Sequence, residues 1–100
     1  MFGLTDRDWS IIDRLAIRPL KEQGARVWIF GSRACGNPRP YSDIDLLFER
    51  EPAGSLPAAF LSGIRESLEE SRLPVKVDLV DVRNLTKSYR DSVLALRVPL

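Results

Sequence analysis

The sequence contains no histidine. That absence excludes triads built on imidazole, His-ligated zinc and general-base histidine chemistry. Any catalysis by this chain must rest on carboxylates, hydroxyls, lysine, arginine or a metal ion. The single cysteine cannot close an intrachain bridge, so nothing calls for an oxidising compartment or a disulfide scaffold. No apolar run approaches the ~20 residues that a membrane span requires, and Met1 to Ser10 hold no signal-peptide core. The expectation is a soluble, cytoplasmic chain without membrane contact. An excess of either charge is also missing: 15 Lys and Arg face 14 Asp and Glu, for a net +1. Proteins that hold nucleic acid mainly through its phosphates usually show a basic excess or stripe, so no direct nucleic-acid binding is expected.

What remains is ordinary globular material: 44% hydrophobic and 29% charged residues, with six Gly and seven Pro in 100 residues. Residues 1–100 are read as one domain, large enough to bury roughly 65% of the unfolded chain's surface. Thr5 and Asp8 fit a capping pattern ahead of a helix whose Trp9, Ile12, Ala16 and Leu20 recur at helical spacing. Pro19 removes the bond to the carbonyl of Leu15, so the helix must kink there or break and resume through Gln23, with Gly24 as its stop.

Val27-Trp28-Ile29-Phe30 reads as a strand covered on both faces and closed by Gly31-Ser32. A turn-rich stretch, Arg33 to Tyr41, leads to a second strand over Ser42 to Glu49. Alternation puts Ile44, Leu46 and Phe48 on one face of it and Asp43, Asp45 and Leu47 on the other. After a loop over Glu51 to Ser55, Leu56 to Arg72 reads as a helix with Pro57 in its first turn and Phe60, Ile64 and Leu68 on one stripe. Val75 to Val82 is a β-branched third strand, and Thr86 to Leu96 a last helix offering Val93, Leu94 and Leu96 to the core. The order helix, strand, strand, helix, strand, helix predicts an α+β (mixed α/β) domain, a small mixed β-sheet with helices packed on it.

The chemistry concentrates in Gly31 to Asp45. Asp43 and Asp45 lie two apart on a strand, so their side chains point the same way, about 6–7 Å apart along the backbone. Two bare carboxylates at that distance repel by roughly 2–3 kcal/mol at an effective dielectric near 20. In a partly buried pocket they call for a cation, and oxygen-only ligands suit Mg²⁺ or Mn²⁺. A lone D-x-D is commonly just a polar strand opening. A calcium loop is excluded because Leu47 and Phe48 stand where it needs another ligand and a glycine.

Gly31-Ser32 supplies what the aspartates lack. A glycine directly after a buried strand permits close approach to the backbone, and Ser32 suits the N-cap of a short turn through Arg33 and Ala34 that aims N–H groups outward as a phosphate cradle. No Lys-Ser/Thr follows Gly36, so the segment is not a Walker loop, and no G-x-G-x-x-G occurs. A third carboxylate stands in the last strand. Asp78 shares a face with Lys76 and Val80, and mid-strand it needs a partner or a metal. Asp81 falls on the opposite face, near the strand end, where it can cap.

Gly31-Ser32, ten intervening residues, then Asp43-Ile44-Asp45 resembles the G-S-x10-D-x-D signature of the polymerase-beta-like nucleotidyltransferases. Phe30-Gly31-Ser32-Arg33-Ala34, Ser42 to Leu47 and Val77 to Asp81 are similar to the minimal nucleotidyltransferase group, over about residues 5 to 95. Cys35 and Tyr41 stand where relatives often carry Arg and Asp, which costs the loop one acidic ligand. The resemblance implies a palm-like nucleotidyltransferase fold. It also implies that Asp43 and Asp45 hold two Mg²⁺ ions bridging the nucleotide's phosphates, with Asp78 completing the catalytic metal's site and orienting or deprotonating the attacking hydroxyl. Gly31 and Ser32 would bind the β- and γ-phosphates, with Arg33 as a further candidate for neutralising pyrophosphate. The implied reaction is in-line attack of a hydroxyl on the α-phosphate with release of pyrophosphate.

Only 22 residues follow Asp78, too few for the acceptor-selecting domain that larger transferases of the superfamily carry. A core this bare is expected to borrow its acceptor from a partner. Members of this size resemble antitoxins paired with HEPN-domain ribonuclease toxins, which implies a hetero-oligomer in which AMP passes from ATP to a tyrosine of the toxin. Two other readings stand beside this one: an antitoxin that neutralises its partner by contact alone, and a nucleotidyltransferase acting on a small molecule or an RNA end.

Overall fold

The computed structural model describes residues 2–31, 33–34, 42–50 and 56–100. The expectations for Ser32, the stretch 35–41 with Cys35 and Tyr41, and the loop 51–55 lie outside these described residues.

Thr5 caps α1 (Asp6–Ile12) as its sequence predicts, its hydroxyl accepting from the backbone N–H of Asp8 at 3.1 Å. Pro19 neither breaks nor sharply ends the helical run. A π-helical turn, Asp13–Ile17, widens the ladder so that the Arg18 N–H reaches the Asp13 carbonyl, and Pro19 then falls in the first turn of α2 (Arg18–Glu22), where its missing N–H costs little. Gly24, at φ +82°, turns the chain into β1 (Ala25–Phe30).

β1 runs antiparallel to β2 (Ile44–Arg50), and β2 runs parallel to β3 (Val77–Asp81). Between them α3 (Ala58–Glu70) makes the crossover that a parallel pair requires. A 3₁₀ turn, Val82–Asn84, leads to α4 (Lys87–Leu96), and a two-residue strand β4 (Val98–Pro99) closes antiparallel on the far edge of β1. The sheet order is β3-β2-β1-β4. β4 carries no sequence signal of its own, because two residues are too few for alternation to register. No helix among the described residues is long and apolar enough to cross a membrane.

Period-two alternation divides the sheet into two faces, as expected. On one, Val27, Ile29, Ile44, Leu46, Phe48 and Leu79 pack beneath Ile12, Ala16, Ile17 and Leu20 of the N-terminal helices and Ile64 and Leu68 of α3. On the other, Trp28, Phe30 and Leu47 form a smaller cluster with Val82 and Val93, flanked by Val80, Leu85 and Leu94. Leu96 does not join the core: it is 61% exposed, because α4 turns only Val93 fully inward. Gly63 faces open space, so it costs α3 no packing contact.

This unequal layering has a measurable consequence. Phe48→Ala, at a side chain only 2% exposed in the larger core, should lower the unfolding free energy by about 3–5 kcal/mol in urea titrations. Leu96→Ser should change it by no more than ~0.5 kcal/mol.

Candidate functional site

The site grows from the end of β1. Phe30 pairs with Asp45 across the antiparallel ladder, so the next residue, Gly31, lies directly against the Asp45 side chain. Gly31 takes φ +80°, and a Cβ added there would collide with Asp45 Oδ2. Glycine is therefore required twice at this corner, for its backbone conformation and for the space the carboxylate occupies. The Ala34 N–H donates to the Gly31 carbonyl at 3.1 Å, closing a tight turn immediately after the strand.

Across the parallel ladder Asp45 stands beside Asp78, and Leu47 beside Val80. Opposed residues in a parallel pair share a face, so Phe30, Asp45 and Asp78 form one row across three strands, on the side of the smaller core. The Ile44 N–H donates to the Lys76 carbonyl at 2.8 Å, extending the ladder to the edge of the site and fixing where the chain leaves Asp43. Asp43 is exposed, one residue before β2 begins. Burial holds the Asp45 carboxyl above the ordinary carboxylate range, and the charges of Asp78 and Asp43 push it further the same way. Lys76 Nζ lies 3.4 Å from Asp78 Oδ1, and its own side chain is largely exposed. Such a pair contributes little and yields readily to a stronger cation.

Among the described residues, no three His, Cys, Asp or Glu side chains are gathered into a ready-made metal cage. A hard divalent cation does not need one: Mg²⁺ usually takes one or two carboxylates and fills its octahedron with water and substrate phosphate. The donors present are carboxylate oxygens on one face, and the half-buried Asp45 is disfavoured in its ionised form by burial and by the charges of Asp78 and Asp43. That set fits such a cation.

The sequence-predicted residues distribute as follows. Asp45, Asp78 and Gly31 come together, and Asp43 lies close enough for its charge to act on Asp45. Arg33 goes elsewhere. It is 3% exposed, with Nε donating to the Ser42 carbonyl at 3.0 Å and Nη1 to the Phe2 carbonyl at 3.1 Å, so its guanidinium serves the backbone rather than the open face. Asp81 caps the 3₁₀ turn by accepting from the Arg83 N–H at 2.9 Å, in keeping with its place at the strand end. Trp28 and Phe30 are core residues, and the Arg97 guanidinium sits 4.0 Å from the Trp28 ring centroid. The engagement of Phe2 with Arg33 has no signal in the sequence, since the two residues lie 31 positions apart.

Residues 14–98 match the model of the nucleotidyltransferase domain family. The chain is 38% identical over 69 residues to the "Probable protein adenylyltransferase MntA" of Haemophilus influenzae, a match that takes in 67% of this chain and 57% of that relative's length. Among solved structures it superposes on a "putative minimal nucleotidyltransferase" with a TM-score of 0.65 and 33% identity, covering 94% of this chain and 89% of the other. It also superposes on a toxin–antitoxin structure containing AMP-PNP, with a TM-score of 0.66 and coverage of 87% and 70%; at 23% identity this likeness speaks for the fold. Family enzymes use a divalent metal and a nucleoside triphosphate. The chain belongs to the nucleotidyltransferase domain family, and its mixed sheet with packed helices matches the fold of minimal nucleotidyltransferase structures.

Proposed function

We propose that residues 1–100 act as one minimal nucleotidyltransferase domain that, with Mg²⁺, transfers AMP from ATP to a tyrosine of a partner HEPN ribonuclease toxin and so silences it. The observation that carries this reading is the Phe30–Asp45–Asp78 row beside the bare Cα of Gly31. There carboxylates from two neighbouring strands and a glycine backbone meet on one face. The likeness to a relative named as a probable protein adenylyltransferase supports a protein acceptor. The reaction consumes ATP and the chain needs no disulfide, which accords with a cytoplasmic location.

In this reading Asp43 and Asp45 would hold two Mg²⁺ ions, with Mn²⁺ as a substitute, and Asp78 would help to hold the catalytic one. Bound there, the ions would neutralise the triphosphate and stabilise the entering and leaving oxygens. Gly31 and Ser32 would bind the β- and γ-phosphates. Asp78 orients the tyrosine hydroxyl and takes its proton on a carboxylate oxygen. The tyrosine oxygen attacks the α-phosphorus, the bond to the bridging oxygen breaks, and pyrophosphate leaves. Asp43 is itself exposed, within reach of a partner's side chain. With a net charge of +1, recognition of a protein partner is favoured over recognition of a nucleic-acid backbone.

The direct test mixes the purified pair with ATP and Mg²⁺ and reads the toxin by intact mass spectrometry. An added AMP is expected with the wild type and none with Asp43→Ala/Asp45→Ala. Neutralisation without any mass change would instead favour an antitoxin acting by contact.

Two further outcomes follow from the site's geometry. Because the folded state raises the Asp45 pKa, the protonated form is the one the metal-free fold favours. Asp45's contribution is then intact below the ordinary Asp value of about 4 and is lost as pH rises through the raised pKa. Asp45→Asn should therefore raise the melting temperature of the metal-free protein at pH 7, with the gain vanishing in melts below about pH 4. Gly31→Ala should cost about 1–2 kcal/mol of stability for its left-handed backbone and displace the Asp45 carboxylate, and nucleotidyl transfer should fall by roughly 100-fold, the scale of a 1 Å misplacement in a positioned site.

A further inference from the structure

We propose that Arg33 is a positioning residue for the metal-binding carboxylates, bracing Phe2, the turn after Gly31 and the entry to Asp43 into one unit, and not a ligand of the nucleotide's phosphates. The inference rests on the assignment of Asp43, Asp45 and Asp78 as the metal site.

Arg33 is the buried charged residue among those described, at 3% exposure. A cation in that setting is costly to bury unless its donors are taken up, and two of them are: Nε–H by the Ser42 carbonyl and Nη1–H by the Phe2 carbonyl. The first bond matters most for function. The Ser42 carbonyl belongs to the peptide plane that carries the Asp43 N–H, so holding that oxygen fixes the direction in which Asp43 leaves the backbone. Arg33 itself is held in the turn closed by the Ala34 N–H on the Gly31 carbonyl. A single guanidinium thereby ties together the two feet of the loop that separates the glycine corner from the aspartates.

The second bond reaches the N-terminal turn. Phe2 has φ +52° and Gly3 φ +79°, left-handed backbone that is unfavourable for phenylalanine. The Phe2 ring stacks obliquely on Trp9, with centroids 5.3 Å apart, so the turn is anchored to α1 while its carbonyl meets Arg33. Only the planar, forked guanidinium can serve both carbonyls at once; a lysine offers one ammonium centre.

The two roles separate in a titration without nucleotide, using Mn²⁺ as the probe and electron paramagnetic resonance of the free ion as the readout. A positioning residue predicts that Arg33→Gln weakens nucleotide-free Mn²⁺ binding about 10-fold, as loss of an outer-shell partner does, and that Arg33→Lys fails to restore it. A phosphate ligand predicts unchanged Mn²⁺ affinity, weaker binding of a non-hydrolysable ATP analogue, and rescue by lysine; that result would overturn the proposal. Thermal melts establish that each variant folds. Should both Arg33 variants unfold, Gly3→Val decides: valine cannot hold a φ of +79°, so the Phe2 carbonyl leaves Arg33 while Arg33 and every aspartate stay intact. Weaker Mn²⁺ binding by that variant supports the brace, and unchanged binding overturns it. A wild type that binds no Mn²⁺ would sink the three-aspartate site itself, an outcome distinct from failure of the brace.

Discussion

Two carboxylates held side by side on neighbouring parallel strands repel each other, and the rest of the structure is arranged to keep them there. Asp45 and Asp78 are opposed in the β2–β3 register, with Asp45 half-buried and its ionised form disfavoured by burial and by both neighbouring charges. Metal-free, this is a local destabilisation. It is offset on the opposite side of the same strands, where Ile44, Leu46 and Phe48 alternate with the acids and are fully or almost fully buried under α1, α2 and α3. A one-residue slip would send the acids into that core and the apolar residues to the open face. The apolar alternation therefore holds the charged one in place, and the site's geometry is a by-product of packing it does not share.

The division of labour between the two faces explains the shape of the functional surface. The larger core anchors the sheet, while the smaller cluster of Trp28, Phe30, Leu47, Val82 and Val93 shares the other face with the acids and reaches them at Phe30. α4 contributes one fully buried residue and leaves Tyr89 and Leu96 outside. At the end of the sheet where Gly31, Asp45 and Asp78 meet, Asp43 is exposed and Asp45 and Asp78 are half-buried, with Phe30 as their apolar neighbour in the row.

Arg33 links the two described ends of the connection between β1 and β2. Long connections are usually the least constrained part of a small domain. Here the two ends of the connection between β1 and Asp43 are joined by a buried guanidinium, and a third contact ties them to the N-terminal turn. The residue type suggested a phosphate contact. In the fold it is buried and donates to the Ser42 and Phe2 carbonyls, a placement that a charge symbol in a sequence does not carry.

Spacing along the chain was enough to assign the mixed α/β class, the order of the main elements, the two faces of β2 and the candidate acids, because alternation and helical periodicity are local properties of the backbone. The cap at Thr5, the capping role of Asp81 and the core places of Trp28 and Phe30 were legible for the same reason. The π-helical turn that accommodates Pro19, the two-residue β4, the exposure of Leu96 and the pairing of Arg33 with Phe2 were not. Each depends on which distant segments meet, and a one-dimensional pattern holds no term for that. The same limit applies to the site's central fact: that Asp45 faces Asp78, with Gly31 pressed against it, is set by strand register across 33 and 14 residues of chain. Register is chosen by the total packing of both faces at once, so it exists only when the whole sheet has formed.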